Sequence, residues 1–286
     1  MERYKIYSVA GHVFHICGET LCHASERMPG MRFFETEYGS PLFSVMESDE
    51  IPAAVDVLYE SDIEGVKSIF AKTKGGFILE QKPTEGEPLY MWIKENRNTV
   101  FIKGNANARM FRFALWMGYG MMTLKHNTIA IHSSSIVYKN KAVLFLGESG
   151  TGKSTHTQLW RKHIDCCELL NDDSPIIRAD GNKVWVYGSP WSGKTHCYKN
   201  KRFELKGCVR LSQSPYNEIT KLSTLKAYGA IHPSCPPEFA YDPHLYDYVS
   251  STIDKLLSSA SFYHLKCLPD KDAALLSCKQ LFSDQL

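Results

Sequence analysis

The stretch Val143–Trp160, VLFLGESGTGKSTHTQLW, holds the pattern G-x-x-x-x-G-K-[ST] between Gly147 and Ser154. An apolar run, Ala142–Leu146, leads into it, and a helical pattern from Ser154 to about His163 leads out. That order of strand, glycine-rich turn and helix is the context in which the pattern is a phosphate-binding loop, or P-loop. The glycines at 147, 150 and 152 open backbone conformations that a side chain obstructs, so successive N–H groups can turn toward phosphate oxygens. The following helix adds the positive end of its dipole. Residues Gly147, Glu148, Ser149, Gly150, Thr151, Gly152, Lys153, Ser154 and Thr155 are therefore the expected nucleotide-binding set. Lys153 supplies charge to the β- and γ-phosphates, and the Ser154 hydroxyl is a candidate Mg²⁺ ligand. The plain alternative is a glycine-rich turn that matches by coincidence.

The next chemistry-bearing pair is Asp172-Asp173, at the end of the short apolar run Cys166–Asn171. One short helix and one strand separate it from Lys153, so the acids and the loop belong to one edge of one sheet, where α/β proteins bind ligands. Two carboxylates there fit a metal partner and a general base, with Ser154, Asp172 and Asp173 as the expected metal set and Asp172, Asp173 and Lys153 as the expected catalytic set. The sequence leaves open which acid does which job. A turn or capping role leading into Ser174-Pro175 is the alternative.

Upstream, Thr128–Tyr138 (TIAIHSSSIVY) has the β-branched character of a strand, and the polar turn at 139–141 joins it to the loop strand as a hairpin. His132 on that strand is a candidate phosphate or substrate contact, with a structural histidine as the alternative. Downstream, Ile176–Arg178 and Lys183–Tyr187 flank Asp180-Gly181-Asn182 as a second hairpin. The loop Tyr187–Lys194 (YGSPWSGK) then offers Lys194 as a second candidate cation, against a solvated lysine as the alternative. Arg178, Arg202 and Arg210 are further candidate charges. The proline-rich run His232–Pro243 is expected to be a stiff, extended connector. Helices are expected over Pro243–Ser259 and Lys271–Phe282, with a strand at Phe262–Cys267.

Residues 1–100 alternate short β-like runs (Tyr4–Ser8, His12–Cys17, Leu42–Glu47, Gly76–Glu80, Tyr90–Lys94) with turns such as Pro83–Pro88. No catalytic constellation stands out there, and a β-rich accessory domain is expected, with the loop-bearing domain over 101–286. The apolar stretch from Ala106 to about Lys125 reads as a buried helix, too short and too interrupted to span a bilayer.

Composition narrows the partners. With 33 basic and 31 acidic residues the net charge is +2, which argues against nucleic acid or an anionic membrane as partner. The first residues lack a secretory apolar core, so a cytoplasmic setting is expected. Nine cysteines without a C-x-x-C pair read as reduced, small, buried residues rather than a metal site.

The segments IHSSSIVYKNKAVLFLGESGTGKST, ELLNDDSPII, VWVYGSPW and YHLKCLPDKDAALL together resemble the catalytic domain of the HPr kinase/phosphorylase family, and more closely its shorter HPr-kinase-like relatives. Those relatives share a nucleotide-binding core with phosphoenolpyruvate carboxykinases. The resemblance covers roughly residues 125–286 and implies an α/β fold with a P-loop, HPr-kinase/PEP-carboxykinase-like mixed-sheet core beside a smaller β-rich N-terminal domain. It implies ATP- and Mg²⁺-dependent phosphorylation of a serine or other hydroxyl, on a protein or a small molecule, with self-association into a homo-oligomer left open. It implies the triphosphate at Gly147–Ser154, base and metal partner at Asp172 and Asp173, and His132 beside the phosphates. The chain departs from the bifunctional family at Val186-Tyr187-Gly188-Ser189, where an acidic, arginine-containing signature is absent; that argues against the phosphorylase half-reaction and against HPr as acceptor. Two further readings stay open: an ATP-binding regulatory module without turnover, and a phosphoenolpyruvate carboxykinase, for which the chain is short.

Overall fold

The computed structural model describes residues 3–104, 107–193 and 195–283. The chain is mixed α/β, with two mixed sheets. It divides into two compact units, Met1–Lys125 with Pro237–Tyr246, and His126–Pro236 with Asp247–Leu286.

In the first unit the strands are β1 (Tyr4–Val9), β2 (His12–Cys17), β3 (Phe43–Glu47), β4 (Asp56–Ile63), β5 (Val66–Thr73), β6 (Gly76–Pro83), β7 (Leu89–Lys94) and β8 (Thr99–Gly104). They form an eight-stranded sheet in the order β1-β2-β3-β8-β7-β6-β5-β4. Pairing is antiparallel except at β2–β3 and β3–β8. Two helices accompany them, α1 (Glu19–Glu26) and α2 (Ala108–Thr123). The Asn107 side chain caps α2 by accepting from the Arg109 N–H at 2.9 Å. The unit runs past residue 100 because α2 packs on this sheet. Tyr119 donates its hydroxyl to the Val9 carbonyl at 3.0 Å, and Gly118 lies so close to Val100 that a Cβ would sit 2.8 Å from its Cγ1. Strands β4, β5 and β8 and helix α1 lie outside the sequence expectation. The faces of β4 are exposed or mixed and carry no clean alternation to read.

The second unit contains β9 (Thr128–Ala130), β10 (Ser133–Tyr138), β11 (Lys141–Leu146), α3 (Lys153–His163), β12 (Glu168–Asp173), β13 (Ile176–Asp180), β14 (Lys183–Tyr187), β15 (Arg202–Gln213), β16 (Glu218–Lys221), α4 (Thr224–Ile231), most of α5 (Pro243–Ser259), β17 (Ser261–Cys267) and α6 (Lys271–Phe282). The sheet runs β12-β10-β11-β15-β14-β13-β9, with β17 also on β15 and β16 on β17. Strand β11 is antiparallel to β10 and parallel to β15. The β10–β11 hairpin closes through Lys139 and Asn140, both at positive φ, as a two-residue turn matched to strand twist requires. The second hairpin, β13–β14, closes through Gly181-Asn182.

Two sequence expectations are corrected here. The run Thr128–Tyr138 is not one strand: it breaks at Ile131-His132, with β9 pairing β13 while β10 pairs β11 and β12. At the break, Ile131 N–H donates to the Pro175 carbonyl and His132 N–H to the Ser234 carbonyl, at 3.1 and 2.7 Å, so the backbone leaves the ladder without losing partners. The run His232–Pro243 is not extended, since it turns through two short 3₁₀ segments, His232–Ser234 and Pro237–Tyr241. The long strand β15 lies outside the sequence expectation, although Arg202–Lys206 alternates charged and apolar residues; Gly207 interrupts the run. Gly207 is needed there: a Cβ would lie 2.7 Å from the Ser261 carbonyl oxygen of β17.

The core beneath the loop joins α3, α6 and the sheet through Phe145, Trp160, Leu265, Leu281 and Phe282. His156 of α3 is part of it. Its Nε2 lies 3.2 Å from the Trp160 indole N–H and 3.1 Å from the Ser277 hydroxyl of α6, and burial pushes its pKa down to about 4. The cysteines are all unbridged thiols; Cys22, Cys197, Cys208 and Cys235 are buried as expected, whereas Cys166 is exposed. No helix among the described residues is long and apolar enough to cross a membrane.

Candidate functional site

The segment Gly147–Gly152 connects β11 to α3, with Gly147, Gly150 and Gly152 at φ of +146°, +84° and +99°. These angles need glycine, and at Gly147 a Cβ would also lie 2.6 Å from Thr151 Oγ1. Gly152 is the N-cap of α3 and supplies no side-chain cap, so the first N–H groups of the helix remain for another acceptor. Thr151 Oγ1 donates to the Glu148 carbonyl at 2.9 Å and braces the turn from inside.

Lys153, the first residue of α3, folds back over the loop. Its ammonium donates to the Gly147 carbonyl at 2.8 Å and the Glu148 carbonyl at 3.1 Å, and lies 3.1 Å from His132 Nε2. Burial holds this ammonium below its ordinary pKa, while the charges of Asp173 and then Asp172 pull it part of the way back. His132 Nδ1 is in turn 3.3 Å from Asp173 Oδ1. If Lys153 donates to Nε2, the imidazole carries its proton on Nδ1 and donates to the carboxylate, a consistent tautomer for the chain Lys153–His132–Asp173.

The carboxylates arrive by way of β10, which lies between β11 and β12. Antiparallel register sets Ser134 opposite Asp172 and Ser133 opposite Asp173, so the end of β12 meets the start of β10 beside the break at His132. Asp172 is buried and accepts from the Ser134 hydroxyl and, at 3.1 Å, from the Ser154 hydroxyl of α3. Asp173 is more open, with its side chain 31% exposed, and its backbone sits at φ +124°, a region non-glycine residues rarely enter. The structure thus brings together Lys153, Ser154, Asp172, Asp173 and His132. Lys194 lies outside the described residues.

The acids are fixed from below by residues that the sequence analysis did not single out. Asn171 is fully buried; its amide donates to the Ser189 hydroxyl at 3.2 Å, and its carbonyl accepts from the Ser174 N–H at 3.0 Å. Ser189 passes its own hydroxyl proton to the Ser174 carbonyl at 2.6 Å, and Gly193 N–H donates to the Asp172 carbonyl at 2.6 Å. The loop after β14 therefore clamps the turn after β12. Gly188 in that loop approaches the Lys199 carbonyl to where a Cβ would be 2.0 Å away, so no larger residue fits. Nothing in the sequence around Asn171 and Ser189 marked them: one precedes Asp172-Asp173, and the other stands between Gly188 and Pro190.

Recesses adjoin the loop at both ends and along its middle, the middle one of about 400 Å³ lined by Glu148–Thr151 and Arg210–Gln213. A cleft of about 610 Å³ runs along Gly150–Gly152, Thr155 and Leu159, closed by Gln213–Pro215 and Cys267–Pro269. Its size and its Leu, Pro and Cys walls suit a nucleoside. A smaller recess lies at the Gly147–Ser149 end, beside His132. Arg210, on β15 opposite Leu146, lines it, whereas Arg202 is engaged with the Tyr187 hydroxyl and the Trp185 ring. No protein-family model matches the chain, and no curated protein matches it in sequence.

Proposed function

We propose that the second unit is an HPr-kinase-like phosphotransferase that moves the γ-phosphate of ATP to a serine or other hydroxyl. The observation that carries this reading is the meeting of two carboxylates with a loop lysine, a loop serine and a histidine at one sheet edge, with an uncapped helix N-terminus alongside.

The geometry supports different jobs for the two acids. Asp172, buried and bonded to the Ser154 hydroxyl, suits the metal side. The donor set, the hard oxygens of Asp172 and Ser154, fits Mg²⁺. Mg²⁺ takes one or two protein oxygens of this kind and completes its shell with phosphate and water. When bound it neutralises charge on the β- and γ-phosphates.

Asp173, open and held by His132, suits the base. It accepts the proton of the attacking hydroxyl, while His132 fixes the carboxylate's orientation. Lys153 exchanges the Gly147 and Glu148 carbonyls for phosphate oxygens, which favour the charged form that burial disfavours. Alignment and electrostatics then provide most of the acceleration. A cytoplasmic setting, where ATP is abundant, suits this chemistry.

The test is incubation of the protein with γ-labelled ATP and a cell lysate, followed by identification of the labelled product. Wild type should transfer label, and Asp172→Asn and Asp173→Asn should bind ATP yet transfer at least about 100-fold more slowly. Transfer that survives Asp173→Asn would sink the assignment of the base. Absence of ATP binding by wild type would sink the whole reading.

A further inference from the structure

The smaller recess bears on the acceptor, whose identity the phosphotransferase reading leaves blank. It measures about 200 Å³ and is bounded by Gly147, Glu148, His132, Arg210, Ala230 and Pro233. The larger cleft follows the opposite end of the loop, along α3. A triphosphate laid across the loop with its nucleoside in the larger cleft points its terminal phosphate toward Lys153 and His132, and so into the smaller recess. At 200 Å³ the recess by itself falls below the roughly 300–1,000 Å³ of drug-sized pockets, which favours a small compound, and its Glu148, Ser149 and Arg210 also line the adjoining recess of about 400 Å³.

Arg210 sets its chemistry. A guanidinium has five N–H donors in a planar fork. One goes to the Gly229 carbonyl at 3.1 Å, and the acid nearest to it, Glu148, stands 3.9 Å away on a side chain 83% exposed. Arg210 itself is 33% exposed, in the wall of the recess. Its remaining donors suit a carboxylate, which a guanidinium grips with two parallel bonds. Arg210 is the one guanidinium or ammonium among the described residues that bound this recess, and Glu148 at the same rim draws on its charge. That suits a single carboxylate better than a phosphate-bearing acceptor, which would add nearly two negative charges beside a γ-phosphate that already occupies Lys153.

Resting on the phosphotransferase reading, we infer that this recess is the acceptor subsite and that its substrate is a small free hydroxy carboxylate held by Arg210. The carboxylate seats on the guanidinium and the hydroxyl faces Asp173. In the transfer, the acceptor O–H bond breaks and its proton passes to the Asp173 carboxylate. The acceptor oxygen bonds to the γ-phosphorus, and the bridging P–O bond to the β-phosphate breaks with its electron pair remaining on ADP.

The experiment measures binding of glycerate, serine, glycerol and glycerol phosphate, by ligand-observed NMR, to protein loaded with a non-hydrolysable ATP analogue. Wild type, Arg210→Gln and Arg210→Lys are compared, with ADP affinity as the check that each variant is folded. A hydroxy carboxylate should bind wild type and lose about 10- to 100-fold in Arg210→Gln. Arg210→Lys should recover part of that loss, and ADP affinity should not move. Transfer to the same compound from labelled ATP should follow the same order. Hydroxy-carboxylate binding that is absent, or indifferent to Arg210→Gln, while ADP still binds overturns this inference alone. Preferred transfer to glycerol, to glycerol phosphate or to a serine-containing peptide does the same. A wild-type protein that binds no nucleotide overturns the phosphotransferase reading itself.

Discussion

Replacing Asp173 with glycine should make the protein more stable and inactive at once. The residue sits at φ +124°, where an L side chain is strained and glycine is not. Strain of this kind costs about 1–3 kcal/mol. Against its relief stand the following losses, beside a long contact of 3.5 Å from the Ser174 hydroxyl to Asp173 Oδ2. Glycine gives up more conformational freedom on folding, about 0.5–1 kcal/mol. The contact with His132 also disappears, and a pair whose side chains are 31% and 49% exposed contributes at most about 1 kcal/mol. Taking mid-range values, the balance is a gain of roughly 0.5–1 kcal/mol, or an upward shift in Tm of about 1–4 °C. Asp173→Asn keeps a side chain at the strained position, so its Tm should stay near wild type. Both variants should lose transfer by about 100- to 10,000-fold, because neither has a carboxylate to take the proton. Thermal melts of the three proteins, beside label-transfer rates, read both effects. A Tm for Asp173→Gly several degrees below wild type would refute the claim that the backbone is strained to hold a catalytic group. Retained transfer in both variants would refute the group's role.

Two pH responses follow from buried groups near the loop. His156 has a folded pKa of about 4 against an ordinary 6.5, so the unfolded chain binds the extra proton. Its contribution is fully present above pH 6.5 and is lost as pH falls toward 4, amounting to roughly 3 kcal/mol at the acid end. The difference in denaturant midpoint between wild type and His156→Gln should therefore shrink across that window; parallel curves would contradict it. For Lys153, whose pKa burial lowers, bound phosphate favours the charged form and draws the pKa back up. ADP affinity should fall as pH rises through the lowered value, with proton uptake on binding visible by calorimetry in two buffers. Lys153→Met should bind more weakly, without that alkaline slope.

Much of the site was legible because its signals are local. The glycine spacing at 147, 150 and 152 specifies a backbone path by itself, and the structure has positive φ at all three. The hairpins at Lys139-Asn140 and Gly181-Asn182 are likewise written in two or three residues. His132 was found as a candidate but on the wrong element. Its place at a break rather than within a strand depends on carbonyls of Pro175 and Ser234, distant in the chain. Arg210 was one charge among several, and nothing around it in the sequence separates it from Arg178 or Arg202.

The sequence by itself determined the loop, the helix that follows it and the acidic pair, since each is specified by the conformational limits of a few adjacent residues. Only the tertiary structure decided that Asp172 belongs with Ser134 and Ser154, and that Asp173 belongs with His132. It also set Arg210 at the far end of the loop. Those pairings are made by strand register and strand order, which follow from hydrogen bonds and packing between segments far apart in the chain. No window of neighbouring residues contains that information. On the proposed reading, Gly147–Ser154 holds the phosphate and the sheet around it supplies the groups that move one.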